Sequence, residues 1–216
     1  MTSPTSLYLL RHAEVEPRYQ RVFGGRIDMD LSERGHEQAS ALANYLGNRR
    51  FDAFYASPMK RVQQTLKPFQ ASPTNPGATT TAPHPAPVIL PGLREVDFGD
   101  WTGLGWEDVR TRFQVSAFQW LHLLEQAAIP NSECAGTFRS RVEPCVRQIL
   151  ADHPGQSVAV ACHGGTIRMI LSILLDVPFS KTAAFEIDYA SLTVVQHTAH
   201  KTEIQLLNFT PWRDLQ

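Results

Sequence analysis

Leu7-Tyr8-Leu9-Leu10-Arg11-His12-Ala13-Glu14 changes character at its midpoint. Four apolar residues in succession read as a strand buried on both faces. A cation, an imidazole, a small residue and a carboxylate follow, so the strand delivers charged groups to the edge of a sheet. In open α/β folds that edge, outside the carboxyl ends of the strands, is where ligands bind. An Arg-His pair opening an ordinary surface loop would read the same way on its own. A second strand end far along the chain tips the balance. Ser157-Val158-Ala159-Val160-Ala161-Cys162 is another uninterrupted strand-like run, and it stops at His163-Gly164-Gly165.

The remaining segments alternate between strand and helix patterns. Glu16 to Asp30 carries Pro17, Gly24, Gly25 and three arginines, and reads as a loop. Ser32 is the expected N-cap of a helix in which Ala39, Leu42, Ala43 and Leu46 recur at helical spacing, and Gly47 or Asn48 ends it. Phe51–Ala56 reads as a short strand. Ser57-Pro58 then reads as an N-cap followed by proline at the first helical position, opening a helix that stops near Leu66, before Pro68. Ala71 to Pro91 is a proline- and threonine-rich excursion whose tail, Val88-Ile89-Leu90, adds a short strand. Leu93 to Gly103 is a polar-aromatic loop. Trp106 to Gln126 is expected as one helix with Val109, Phe113, Phe118, Leu121 and Leu124 facing inward. Phe138 to Ala151 is another, in which Pro144 marks a bend or a later start. Thr166 is expected to open a helix through Leu175, and three strand-like runs follow near Ala183–Ile187, Leu192–Gln196 and Ile204–Phe209. This order predicts a three-layer α/β/α sandwich with a mostly parallel sheet and an antiparallel edge strand, in one domain over residues 1–216.

Composition sets limits on partners. The chain has 216 residues, 43% hydrophobic and 19% charged, with a formal net charge of -1, the make-up of an ordinary soluble globular protein. Nothing in that balance attracts nucleic acid or an anionic membrane, and there is no Lys/Arg block to do so locally. A bound anion must therefore be held by a few placed cations. No apolar run approaches the roughly 20 residues of a membrane span, and Met1 to Ser6 lacks the apolar core of a signal peptide. Cys134, Cys145 and Cys162 show no metal or C-x-x-C spacing. They fit a reducing cytosol as small core residues, so a cytoplasmic protein without a metal or other cofactor is expected. The C-terminal strands either expose an edge to a second subunit, forming a homodimer, or are covered by Phe209-Thr210-Pro211-Trp212.

Certain polar residues fall at predicted strand ends or first helical turns. Arg11 and His12 end one strand and His163 another, with two glycines that let backbone N–H groups approach a ligand at a helix start. Arg61 lies one turn into its helix, with Thr65 four residues on along the same face. Glu95 sits in the polar-aromatic loop, with Asp97 as an alternative acid and Asp100 as a weaker one. Guanidinium forks bind tetrahedral oxyanions bidentately. A histidine can attack phosphorus, and a carboxylic acid can protonate the departing alkoxide and then activate water. The set favours phosphoryl transfer through a phosphohistidine. Singly, each residue has a plainer reading: His163 as a core histidine, Arg61 as a helix-surface arginine, Glu95 as a salt-bridge partner of Arg94. Trp101, Trp106 and Phe98 read as lid or core aromatics. His36, His84, His122, His153, His197 and His200 read as surface residues.

These stretches resemble the histidine phosphatase superfamily, the phosphoglycerate mutase-like proteins. Arg11-His12-Ala13-Glu14 is similar to its R-H-G signature, and Phe23 to Gly35 to the segment that follows, including Gly24 and Gly25. Ser57 to Thr65 resembles its S-x-x-x-R-x-x-x-T helix start, Leu93 to Gly103 its L-x-E-x-x-F-G-x-W-x-G loop, and Cys162 to Arg168 its H-G-G-x-I-R segment. The resemblance implies that His12 is the nucleophile and Glu95 the general acid, then the base. It implies that Arg11, Arg61 and His163 hold the phosphoryl oxygens, with Gly164, Gly24 and Gly25 lining the substrate site and Arg168 further out. It implies no metal. Departures are Ala13 for the usual glycine, Val15 where Thr or Ser is common, and Arg18 where many members carry a phosphate-contacting asparagine. Arg18 either adds a cation for an acidic substrate or points to solvent. Mutases of this family typically carry a long insertion after the acid loop. Here only about 35 residues separate Gly103 from the next motif helix, which favours a phosphatase acting on a small phosphorylated metabolite, of the α-ribazole and broad-specificity kind. A mutase is the alternative, and a non-catalytic binding protein a third reading that the presence of all four key residues disfavours.

Overall fold

The computed structural model describes residues 3–70 and 84–215, so most of the proline-rich excursion lies outside the described residues. Six strands form one sheet: β1 Thr5–Arg11, β2 Ala53–Ala56, β3 Val88–Ile89, β4 Ser157–Cys162, β5 Leu192–His197 and β6 Thr202–Phe209. Their order is β3-β2-β4-β1-β5-β6. The first four in that order are mutually parallel, while β5 runs antiparallel to both β1 and β6. The expected mixed sheet is present, with its antiparallel pairings gathered at one end.

Alternation along β1 divides the core in two. Leu7 and Leu9 face one layer, packing with Phe138, Val142 and Val146 of helix α5 (Ala135–Asp152) and Ile167 and Ile170 of helix α6 (Gly164–Leu175). Tyr8 and Leu10 face the other, against Ala39 and Leu42 of helix α1 (Glu33–Leu46) and Val62 and Leu66 of helix α2 (Lys60–Gln70). Period-two side-chain placement on a sheet covered on both faces requires apolar residues at every position, which is why the run is unbroken.

Several boundaries differ from the sequence expectation. Ser32 does cap α1, accepting from the Gly35 N–H at 2.9 Å. Helix α2 starts at Lys60 rather than at Pro58 and continues through Pro68 to Gln70; a proline in a last turn removes one backbone bond, and buried Leu66 and Phe69 hold that turn. Helix α5 likewise passes through Pro144 without a break, because Val142 and Val146 on either side are buried in the core. The expected Trp106–Gln126 helix is three pieces: α3 (Trp106–Phe113), a single 3-10 turn at Ala117–Gln119, and α4 (Trp120–Glu125). Gln114 ends α3 in the left-handed region, at φ 55°, a position glycine or asparagine usually takes. Helix α6 begins at Gly164, two residues before Thr166. The run near Ala183–Ile187 is no strand; a 3-10 segment, Phe179–Ala184, takes in its first two residues, and the rest is irregular. The last helix, α7 (Pro211–Asp214), folds onto α1, and the Trp212 indole N–H donates to the Tyr189 carbonyl at 2.9 Å.

The histidines and cysteines outside the strand ends are less uniform than expected. His84 packs against the rings of Phe51, Phe54 and Phe69, and His153 bonds the Tyr55 hydroxyl; His36, His122 and His200 are exposed. Only Cys162 is a core residue; Cys134 and Cys145 are partly exposed, and all three are free. Among the described residues no helix is long and apolar enough to cross a membrane.

Candidate active site

The pairing of β1 with β4 builds the centre of the site. In that parallel register Arg11 lies opposite Cys162, and the His12 N–H donates to the Cys162 carbonyl at 3.1 Å. The next residue of each strand is a histidine, and their rings stand 5.3 Å apart, edge to face. One backbone register thus places two imidazoles together at a sheet edge.

Arg61 of α2 reaches between them. Its Nε–H donates to His12 Nε2 and to His163 Nδ1, each at 3.2 Å. Nη1 donates to the Ile27 carbonyl at 2.8 Å and Nη2 to the Gly25 carbonyl at 3.0 Å. Thr65, one turn along, accepts from the Ala13 N–H at 2.9 Å and donates to the Arg61 carbonyl at 2.7 Å, tying the helix to the strand end. Burial pulls the Arg61 guanidinium down to about 10, against the opposing effect of Glu95; it is a cation at neutral pH.

The two histidines have defined tautomers in this network. His12 Nδ1 lies 2.8 Å from the Ala13 carbonyl, which can only accept, so Nδ1 carries the proton and Nε2 presents its lone pair. His163 Nδ1 accepts from Arg61, so its Nε2–H donates to Ser57 Oγ at 2.8 Å. The Ser57 hydroxyl therefore serves His163 and also accepts from the Met59 N–H at 3.4 Å, a cap-like contact ahead of a helix that starts at Lys60. Burial, then the Arg61 charge, holds both imidazoles well below their ordinary value. Both are neutral at neutral pH.

Arg11 lies flat against Tyr189, its guanidinium carbon 4.2 Å from the ring centre, and its Nη1 donates to the Ile187 carbonyl. Its Nε is buried with no partner among the described residues.

Glu95 approaches from the opposite side. Its Oε2 accepts from the Gly165 N–H in the first turn of α6 at 3.1 Å, and its Oε1 from the Val96 N–H at 3.0 Å. A Cβ on Gly165 would stand 2.5 Å from Oε1, so only glycine lets the carboxyl group in. The loop carrying Glu95 is clamped by Arg141 of α5. Arg141 donates to the carbonyls of Gly92 at 2.8 Å, Arg94 at 2.7 Å and Glu95 at 2.9 Å. Glu133 pairs with that guanidinium and also accepts from the Asp97 N–H at 2.9 Å. Asp97 is held by Arg26 and the Gly99 N–H, and Asp100 by Asn131.

Arg11, His12, Gly24, Gly25, Arg61, Glu95 and Gly164 line one cavity of about 740 Å³. His163 is fully buried directly behind Arg61. Glu95 lines this cavity and Asp97 does not, which separates the two candidate acids by position. Arg168 also lines it, with Nη1 donating to the Thr182 and Phe185 carbonyls. Arg18 is not brought to the site: its guanidinium is 68% exposed, pairs with Glu16 at 3.0 Å and lies over the Tyr19 ring. Ala13 is buried with no left-handed backbone, so replacing glycine costs no strain. Sequence reasoning missed Ser57 as a histidine partner, Tyr189 beneath Arg11, and the Arg141–Glu133 clamp. Only Ser57 lay in a motif already singled out. Among the described residues, no group of three or more His, Cys, Asp or Glu side chains could hold a metal ion.

Similarity to known proteins places this architecture in a family. The chain belongs to the histidine phosphatase superfamily (branch 1), whose model matches residues 7–210. Phosphoserine phosphatase 1 of Hydrogenobacter thermophilus is 29% identical over 204 residues, covering 94% of this chain and 92% of the relative. The adenosylcobalamin/alpha-ribazole phosphatase of Escherichia coli is 24% identical over 203 residues, covering 94% and 95%. The solved structure of a putative alpha-ribazole-5'-P phosphatase from E. coli superposes with a TM-score of 0.77 at 24% identity, covering 95% of this chain and 97% of that one. With these relatives the chain is grouped as a phosphoric monoester hydrolase.

Proposed function

We propose that this chain, as one domain over residues 1–216, is a cytoplasmic, metal-independent phosphomonoesterase that hydrolyses a small phosphorylated metabolite through a phosphohistidine on His12. The observation that carries the reading is the His12 tautomer. Nδ1–H is bonded to the Ala13 carbonyl, so the lone pair is on Nε2, where it accepts from the Arg61 Nε–H in a cavity that also holds Glu95. Attack on phosphorus exchanges that hydrogen bond for the P–N bond.

In the first step Nε2 attacks phosphorus and the bond to the alcohol oxygen breaks. Protonated Glu95 gives its proton to that oxygen and the alcohol leaves. On this reading Arg61 and Arg11 stabilise charge on the equatorial oxygens, together with the Gly164 N–H at the start of α6, whose next N–H, that of Gly165, is held by Glu95. In the second step Glu95 takes a proton from water, the hydroxide attacks phosphorus, the P–N bond breaks and phosphate departs, restoring His12. Protonated Nε2 has no lone pair, so activity fails as the pH falls through the lowered imidazole value. The acid limb assigned to His12 is therefore expected well below the ordinary 6.5.

Phosphate release from p-nitrophenyl phosphate in excess EDTA tests this. The native protein is expected to be active, and His12→Ala to lose about a thousandfold or more. Activity abolished by EDTA, or retained in His12→Ala, would overturn the mechanism. Transfer of the phosphoryl group between positions of a phosphoglycerate faster than its release would identify a mutase instead.

A further inference from the structure

We infer that the alcohol side of the substrate carries an aromatic ring, seated against Phe118, Trp106 and Trp120. The inference rests on the phosphomonoesterase reading and names the substrate class that the remainder of the cavity fits.

Away from the imidazoles, the cavity wall is formed by Phe23, Trp106, Phe118, Trp120 and Ile187. Phe118 is 79% exposed, although its sequence position had placed it on the inner face of a helix. The interruption at Gln114 and the following 3-10 turn swing it outward instead. Its ring meets Trp106 edge to face at 4.3 Å, and Trp106 in turn stacks on Phe23 at 6.0 Å. Trp120 stands edge to face with Phe98 at 5.4 Å. Single exposed apolar side chains need no explanation. This one continues an aromatic wall that opens into the same cavity as His12, the arrangement by which apolar pockets bind flat rings.

The charges at this end argue against a small alcohol that carries an ammonium group. An amino-acid leaving group needs a partner for its ammonium and another for its carboxylate. The charged groups here are Arg21, Glu107 and Arg168. Glu107 is paired with Arg110, and Arg168 gives one nitrogen, Nη1, to two backbone carbonyls. Among the described residues neither Arg21 nor Arg168 has an ion pair, so this end offers cations, and its one carboxylate, Glu107, is already paired. Apolar area, by contrast, is offered by Phe23, Trp106, Phe118, Trp120 and Ile187.

The test compares kcat/KM for 2-phenylethyl phosphate, ethyl phosphate and O-phosphoserine. The first two leaving alcohols are similarly basic, and the ammonium group makes serine the better leaving group, so intrinsic reactivity does not favour the phenylethyl ester. The phenylethyl ester is expected to exceed the ethyl ester by roughly tenfold or more, and to exceed O-phosphoserine as well. Phe118→Ala is expected to bring the phenylethyl-to-ethyl ratio towards one, and Phe118→Leu to recover part of it. A native ratio near one, a preference for O-phosphoserine, or a ratio untouched by Phe118→Ala would overturn the inference while leaving the phosphomonoesterase reading intact. Inertness towards all three esters and p-nitrophenyl phosphate would instead overturn that reading, and this inference with it.

Discussion

At one end of the cavity His12, His163 and Arg61 are buried and bonded to one another, to Ser57 and to backbone carbonyls. At the other, Phe118 stands exposed on a one-turn segment between two short helices. The first end is set by the register of two adjacent strands and by the helices that leave them, elements that share the central core. The second hangs on a left-handed residue, Gln114, and on α3 and α4, which are eight and six residues long. Groups that bear charge in a reaction must be held without slack, whereas an apolar ring binds by area and tolerates adjustment. The two kinds of construction match the two tasks proposed for them.

Breaking the tightly held end at a distance should show how far its rigidity extends. Arg141 touches three carbonyls of the acid loop and lies on α5, away from the imidazoles. Arg141→Met is expected to lower kcat/KM for ethyl phosphate roughly tenfold to a hundredfold. The loss should be several-fold smaller for p-nitrophenyl phosphate, whose leaving group departs without a proton. Equal losses on both substrates would assign Arg141 to the fold alone and not to the placement of Glu95.

A second expectation concerns acid stability. His12 and His163 are held neutral in the folded protein by burial and by Arg61, while in the unfolded chain they protonate near 6.5. Below that pH the unfolded state binds more protons, so stability is lost as pH falls from about 6.5 towards the folded values. The thermal midpoint should therefore drop between about pH 7 and pH 5, and His163→Gln should flatten the slope. A midpoint independent of pH in this window would contradict the buried neutral pair. The smallest effect is expected outside both ends: Arg18→Ala, which removes an exposed ion pair, should change kcat/KM for any of these esters by less than about twofold. A larger loss would bring Arg18 into the site.

The meeting of the two histidines was legible in the sequence because an apolar run that stops at Arg11-His12 or at His163-Gly164 reports both a strand and what it delivers. Glu95 was legible through its loop motif. What lay hidden were contacts between distant segments. Ser57 reads locally as a cap, and only the β2–β4 pairing brings it to His163. Arg141 and Glu133 look like ordinary helix and loop charges until α5 packs beneath the acid loop. Tyr189 follows a segment whose strand-like pattern folded as the end of a 3-10 segment and irregular chain. Phe118 was misplaced because periodicity projected one helix across Gln114, where nothing in the residue type announces a left-handed turn.

The two pins on Arg61 bear on what happens when charge moves. Its outer nitrogens already donate to the carbonyls of Gly25 and Ile27, so the guanidinium plane cannot swing when negative charge gathers beside it. In water, dipoles would have to turn to meet that charge, and the energy of turning them belongs to the barrier. Here the orientation is completed when the chain folds, together with the desolvation of the cation, and the reorganisation left for each turnover is small.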